Sequence, residues 1–279
     1  MEAILEALQF DFMRNALVTG LLISIACGII GTYVVLNRIV FISGGIAHAA
    51  YGGIGLGYFL KISPIIGAVV FSLAAAFSMG AIQRKTRERA DTIIGVMWAL
   101  GMAIGIIFID LAEGYKADLM SYLFGSILAV SPLEIWMMLI LDILILLVVI
   151  IFYRELLAMS FDETFSTVQN VPVHFLQMIM IALVGLTVVM LMRVVGLIMI
   201  IALLTMPAAI SNLFVKDMKK MMILSSLLGM VFTIVGLWLS YFLNLTSGAT
   251  IILVAGITYL ISHLIKAFNN RNTSQLTSG

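Results

Sequence analysis

Three observations on the sequence predict an all-α polytopic membrane protein. Of the 279 residues, 63% are hydrophobic and only 10% charged, and the mean hydropathy is +1.20. A soluble domain has too little interior to hide that much apolar surface. Apolar runs of roughly 20 residues, the length that crosses a ~30 Å hydrocarbon core, recur along the chain. In lipid only helices and closed barrels satisfy their own backbone groups, and runs of this length belong to helices.

Hydrophobic windows place nine spans near 16–36, 44–60, 64–82, 92–110, 133–152, 173–191, 195–214, 220–243 and 248–268. The second is short and rich in glycine, and a broken or partly inserted segment there would lower the count to eight. The permease domain therefore occupies 16–268. It is preceded by an acidic, amphipathic segment at 1–15 that reads as a helix lying in the membrane interface, and followed by a polar tail at 269–279 that reads as disordered. The N-terminus lacks the basic start and short apolar core of a cleaved signal.

Charge sets the direction of the spans. Arg84, Lys85, Arg87 and Arg89 share one loop, and Lys216, Lys219 and Lys220 another, so both loops are expected inside. Alternation then places Asp110–Pro132 outside, the loop around Asp162 inside, the N-terminus outside and the C-terminal tail inside. Arg14 and Arg193 dissent. Within the outer stretch, Asp118–Ser131 is apolar but too short to cross, and reads as a re-entrant or interfacial segment at a pathway mouth. A net charge of +1 gives no argument for nucleic-acid binding. The single cysteine, Cys27, excludes an internal disulfide or a cysteine-based zinc cluster.

His48 is the first residue that carries chemistry, because ionisable groups in hydrocarbon are costly and mark pathways. Gly45, Gly52 and Gly55 lie three, four and seven residues from it and share its helical face. That face either lets another backbone approach closely or leaves room for an ion beside the imidazole, a good ligand for zinc, manganese or iron(II). In the packing alternative His48 hydrogen-bonds a neighbouring carbonyl. Asp142 stands alone ~14 Å into its span and demands burial or pairing. It is either part of a pathway or simply capped or protonated within the bundle. Pro207 should kink its helix and expose the carbonyls of Leu203–Met206. The nineteen methionines read mostly as lipid-facing filler.

The second informative stretch is the inside loop after the fifth span. Ser160 and Glu163 form a capping-box pair opening a helix at 160–169. Phe161, Phe165 and Val168 then fall on one face, Asp162 and its polar neighbours elsewhere, and Pro172 ends the run. A short helix with an aromatic edge suits docking into a soluble partner. The competing reading, a helix on the lipid surface, favours Lys and Arg on the polar face, which is acidic in this chain. No phosphate loop, paired His-Glu zinc motif or serine nucleophile elbow occurs, so energy for active transport would come from another subunit.

From about Asn15 to Ala267 the chain resembles the permease subunits of manganese, zinc or iron ABC importers, the ABC-3 type. The stretch SGGIAHAAYGGIGLGY (43–58) is similar to that family's second-span pattern GDAxSHAxxPGxxLGY, DTIIGVMWALGMAIGIIFI to its fourth span, and DLMSYLFGSILAVS to its outer gating segment. ELLAMSFDETFSTVQNVPV is similar to its coupling helix, and VGLIMIIALLTMPAA and LNLTSGATIILVAG to later spans. The match departs at Gly44, where the family carries a carboxylate, and at Gly52, where it carries proline. Losing the carboxylate removes a hard oxygen ligand and, with it, any inference of manganese over zinc.

The resemblance implies a type II ABC importer-like bundle in a bacterial or archaeal cell membrane. It implies the translocation subunit of an ATP-driven divalent-metal importer, not an enzyme itself, working as a homodimer with ABC ATPase subunits and an extracytoplasmic metal-binding protein. No tightly bound cofactor is expected, the metal ion being the transported substrate. The expected metal pathway is His48, with Asp142 as a candidate by default. Pathway or gate positions are Gly45, Gly52, Tyr122, Gly125 and Pro207, and ATPase coupling falls on Ser160, Phe161, Asp162, Glu163 and Phe165. The rival from another class is an ATP-independent carrier or channel in which Asp142 and His48 relay protons or ions.

Overall fold

The computed structural model describes residues 6–85, 90–112 and 125–276. Helices α1 (Asp11–Leu36), α2 (Val40–Phe59), α3 (Pro64–Lys85) and α4 (Ala90–Leu111) are followed by a 3-10 turn at Ile127–Ala129. Then come α5 (Pro132–Ile151), the short α6 (Tyr153–Phe161) and α7 (Glu163–Val168), α8 (Val173–Val195), α9 (Leu197–Phe214), α10 (Met218–Leu243) and α11 (Ser247–Leu276). Among the described residues, nine of these helices are long and apolar enough to cross a membrane.

The second span is continuous. It starts at Val40, four residues before the expected boundary, and its 20 residues reach ~30 Å, enough to cross without a break. Two end assignments change. α1 begins at Asp11, so part of the stretch expected to lie in the interface belongs to the first span. The expected disordered tail instead continues α11 to Leu276.

Burial orders the bundle. In the most apolar stretches of α2 and α1, 78% and 72% of residues are buried, against 22% in α4 and α11, so α1 and α2 are central and α4 and α11 peripheral. α1 packs against α5, α9 and α10, while α2 packs against α3, α4 and α8. With no hydrophobic gain between helices in lipid, close contact must come from small residues. Glycines supply it: a side chain on Gly28 would strike the backbone of Ser226, and one on Gly31 the carbonyl of Leu204. Several hydroxyls inside the spans bond to their own helices, as in Ser24 to Gly20 O (2.6 Å) and Thr32 to Gly28 O (2.7 Å).

Both dissenting arginines are neutralised. Arg14 pairs with Asp11 in the first turn of α1. Arg193, in the last turn of α8, pairs with Glu134 at 2.9 Å. Glu134 is itself the third residue of a capping box opened by Ser131, with Pro132 in the first turn of α5. Arg193 therefore serves a local ion pair between α8 and α5.

Candidate functional site

α2 presents its glycines to two neighbours at once. A Cβ on Gly52 would lie 2.9 Å from Gly101 O, and one on Gly105 would lie 2.6 Å from Tyr51 O. Gly53 meets the backbone of Gly67 of α3 more closely still. Gly45 faces the Met79 side chain and Ile94, at 2.8 and 2.9 Å from where its Cβ would stand. Of the two uses open to this face, the structure realises close helix approach. Gly101-x-x-x-Gly105 on α4 is the partner signal, readable in the sequence as a small-residue interface motif.

Replacing Gly105 with Val is expected to force α4 off α2, because the atoms it meets are backbone and cannot rotate away. The cost should be about 1–3 kcal/mol, read as a lower melting temperature in detergent. An unchanged melting temperature would mean that the crossing is looser than the geometry requires.

The same crossing holds His48. Its side chain is buried, its Nδ1 lies 2.8 Å from Sδ of Met102, and its ring stands 4.1 Å from that of Trp98. Trp98 and Met102 are four apart on α4 and share one edge of its contact with α2. Gly44, one turn before His48, points at the Trp98 ring, 3.6 Å from where its Cβ would stand. Sequence reasoning missed Trp98 and Met102; the glycine pair between and beside them was the signal that could have found them.

Asp142 is not part of this cluster. It is buried on α5, which packs against α1 and α8 and not against α2, and its Oδ2 has no hydrogen-bond partner among the described residues. Pro207 is buried inside α9, which is helical on both sides of it, and the Leu204 carbonyl abuts Gly31. Tyr122 lies outside the described residues. Gly125, at φ 61°, sits against Val195 and Gly196, and Ser126 N donates to Val194 O at 3.1 Å. The end of the expected gating segment is thus pinned to the α8–α9 junction, where Gly196 takes φ 79° and the chain reverses. A positive φ is cheap for glycine and costly for other residues, which explains glycine at both positions.

The inside loop is built differently from its expected form. Asp162, extended at φ −150°, is the N-cap of α7 and accepts from Phe165 N at 2.9 Å. Ser160 instead belongs to α6, donates to Leu156 O at 2.8 Å, and accepts from the Asn37 side chain at 3.2 Å. The capping box is replaced by an aspartate cap, the Asp162 carboxylate standing two residues closer than Ser160 to the helix start at Glu163. Nor does Pro172 end the helix: Gln169 caps it, Asn170 turns at φ 61°, and Pro172 opens α8. Phe161, Phe165 and Val168 are nonetheless 76%, 59% and 77% exposed, while Ser166 on the other side is buried. The aromatic edge therefore spans two short helices meeting at Asp162.

The sequence pattern of the ABC 3 transport family matches residues 9–266. This chain belongs to that family. An uncharacterized membrane protein of Synechocystis sp. is 59% identical over 261 residues, covering 94% of this chain and 93% of its own. The manganese transport system membrane protein MntC of Listeria innocua is 37% identical, covering 92% and 91%. The solved structure of PsaBC from Streptococcus pneumoniae in complex with Fab superposes with a TM-score of 0.84 at 35% identity, covering 94% of this chain and 95% of the other. As an ABC 3 family member the chain is a multi-pass membrane permease, and among the described residues nine helices are long and apolar enough to be its spans.

Proposed function

We propose that this chain is the membrane-spanning subunit of an ATP-driven importer for a divalent metal ion, zinc, manganese or iron. In this reading it works as a homodimer, with a separate ABC ATPase inside and a metal-binding protein outside. The single observation that carries ATP coupling is the exposed ridge of Phe161, Phe165 and Val168. A self-sufficient carrier has no use for it, and a soluble partner's groove would bury it. The Asn37–Ser160 bond ties the ridge to the turn between α1 and α2, so force applied at the ridge reaches the helix that carries His48. The manganese relative supports metal as the cargo class. His48, at the α2–α4 crossing, is the residue assigned to the ion.

The permease makes no chemical bond. It offers a weak donor to an ion in transit and alternates the side from which that donor is reached. Affinity purification from mild-detergent membranes tests the assembly, and a stoichiometric ATPase is the expected companion. A partner-free oligomer that still moves metal ions in liposomes would make the ATP-independent carrier correct.

A further inference from the structure

A groove of about 570 Å³ runs between α5 and α10, with Ile29 of α1 in its lining and no residue of α2 or α4. α1 packs against both walls. The rims are apolar and exposed, Leu146 and Ile150 on α5, Ile223 and Leu227 on α10. α5 is the fifth span and α10 the eighth, so with alternating spans the end of one and the start of the other lie on the same side of the membrane. Tyr153, just past α5, and Lys219, in the first turn of α10, therefore share one end of the groove. That end is the one the lysine-rich loop is expected to hold inside. From Lys219 to Met230 the groove follows α10 for ~16 Å. One leaflet of a ~30 Å hydrocarbon core is ~15 Å deep, and Met230 lies midway along the 26-residue α10.

We propose that this groove binds an anionic phospholipid of the inner leaflet, with one acyl chain between α5 and α10 and the headgroup phosphate on Lys219 and Tyr153. The proposal goes beyond the importer reading and does not depend on it. The apolar lining matches an acyl chain, and the length matches one leaflet. At the open end, the Lys219 stem can run along the apolar wall while its ammonium reaches headgroup depth, and a tyrosine hydroxyl can donate to a phosphate oxygen. Lys216 and Lys220, also exposed, add positive potential where an anionic headgroup would sit. The acid between them, Asp217, caps α10 by accepting from Lys220 N at 2.8 Å. A second copy of the chain fits less well. A helix laid against this face would run on past Met230, where the groove stops, and would strip water from the Lys219 ammonium without offering it a charge.

The test purifies the full chain in mild detergent and titrates it with phosphatidylglycerol or phosphatidylcholine, counting bound lipids by native mass spectrometry. Wild type is expected to hold one phosphatidylglycerol per chain in preference to phosphatidylcholine. Lys219→Gln is expected to weaken phosphatidylglycerol binding about 5-fold, the scale of one lysine at an anionic lipid surface. Leu227→Trp, which fills the groove from an exposed position, is expected to remove the tightly held lipid whatever its headgroup. Lys216→Gln, outside the lining, is expected to change little. Equal losses in Lys216→Gln and Lys219→Gln would mean diffuse attraction to the lysine loop and overturn the proposal. So would a wild type that holds no phosphatidylglycerol, or lipid bound by the monomer and absent from the dimer, which would show that a second copy fills the groove. None of these outcomes bears on the importer reading.

Discussion

Replacing Phe161 and Phe165 together with Asp is expected to abolish ATP-driven uptake while the bundle stays folded. Both rings are largely exposed, so nothing inside the protein depends on them. Their neighbours do the structural work: Asp162 caps α7, and Ser166 is buried with its hydroxyl on Asp162 O at 2.8 Å. An aromatic anchor that fills a partner's pocket is commonly worth ~2 kcal/mol or more, roughly 30-fold in affinity for each ring. Substituted carboxylates would add desolvation and repulsion beside Asp162 and Glu163. The measurement is co-purification of the ATPase alongside uptake, with permease abundance as control. Normal uptake in the double variant would place the docking surface elsewhere.

His48→Ala and His48→Phe should both cut metal uptake at least ~10-fold, with little change in the amount of protein in the membrane. The pair is needed because the imidazole also packs against Trp98. Alanine removes both the ring and the donor, whereas phenylalanine keeps a ring against the indole and removes only the donor. If the phenylalanine variant transports normally, His48 is a packing residue of the α2–α4 crossing and the metal assignment falls. If both variants lose uptake while retaining melting temperature, the donor nitrogen itself is required.

The helices were legible because lipid leaves the chain few choices. Nine windows of apolar sequence correspond to the nine long helices, and boundaries moved by only a few residues where a cap or turn decided them. Val40, for example, starts its helix after the turn at Asn37 to Ile39, in which Arg38 takes φ 56° and Ile39 N bonds to Val34 O. The loop capping misread at Ser160 has a comparable origin. Serine and aspartate two residues apart both make good N-caps, and in the structure Asp162 takes that place while Ser160 stays in α6, donating to Leu156 O and accepting from Asn37, 123 positions earlier.

The sequence by itself determined the class of molecule, the run of apolar helices, the aromatic ridge on the loop after the fifth span and His48 as a buried ionisable group on the second. Each of these follows from local composition, because hydrocarbon thickness, backbone satisfaction and charge bias act on one segment at a time. What stands beside His48 was decided only by the tertiary structure, through the meeting of α2 and α4 at glycines some fifty residues apart. Helix crossings depend on backbone approach measured in tenths of an ångström. That approach put Trp98 and Met102 on the imidazole and left Asp142 among other helices.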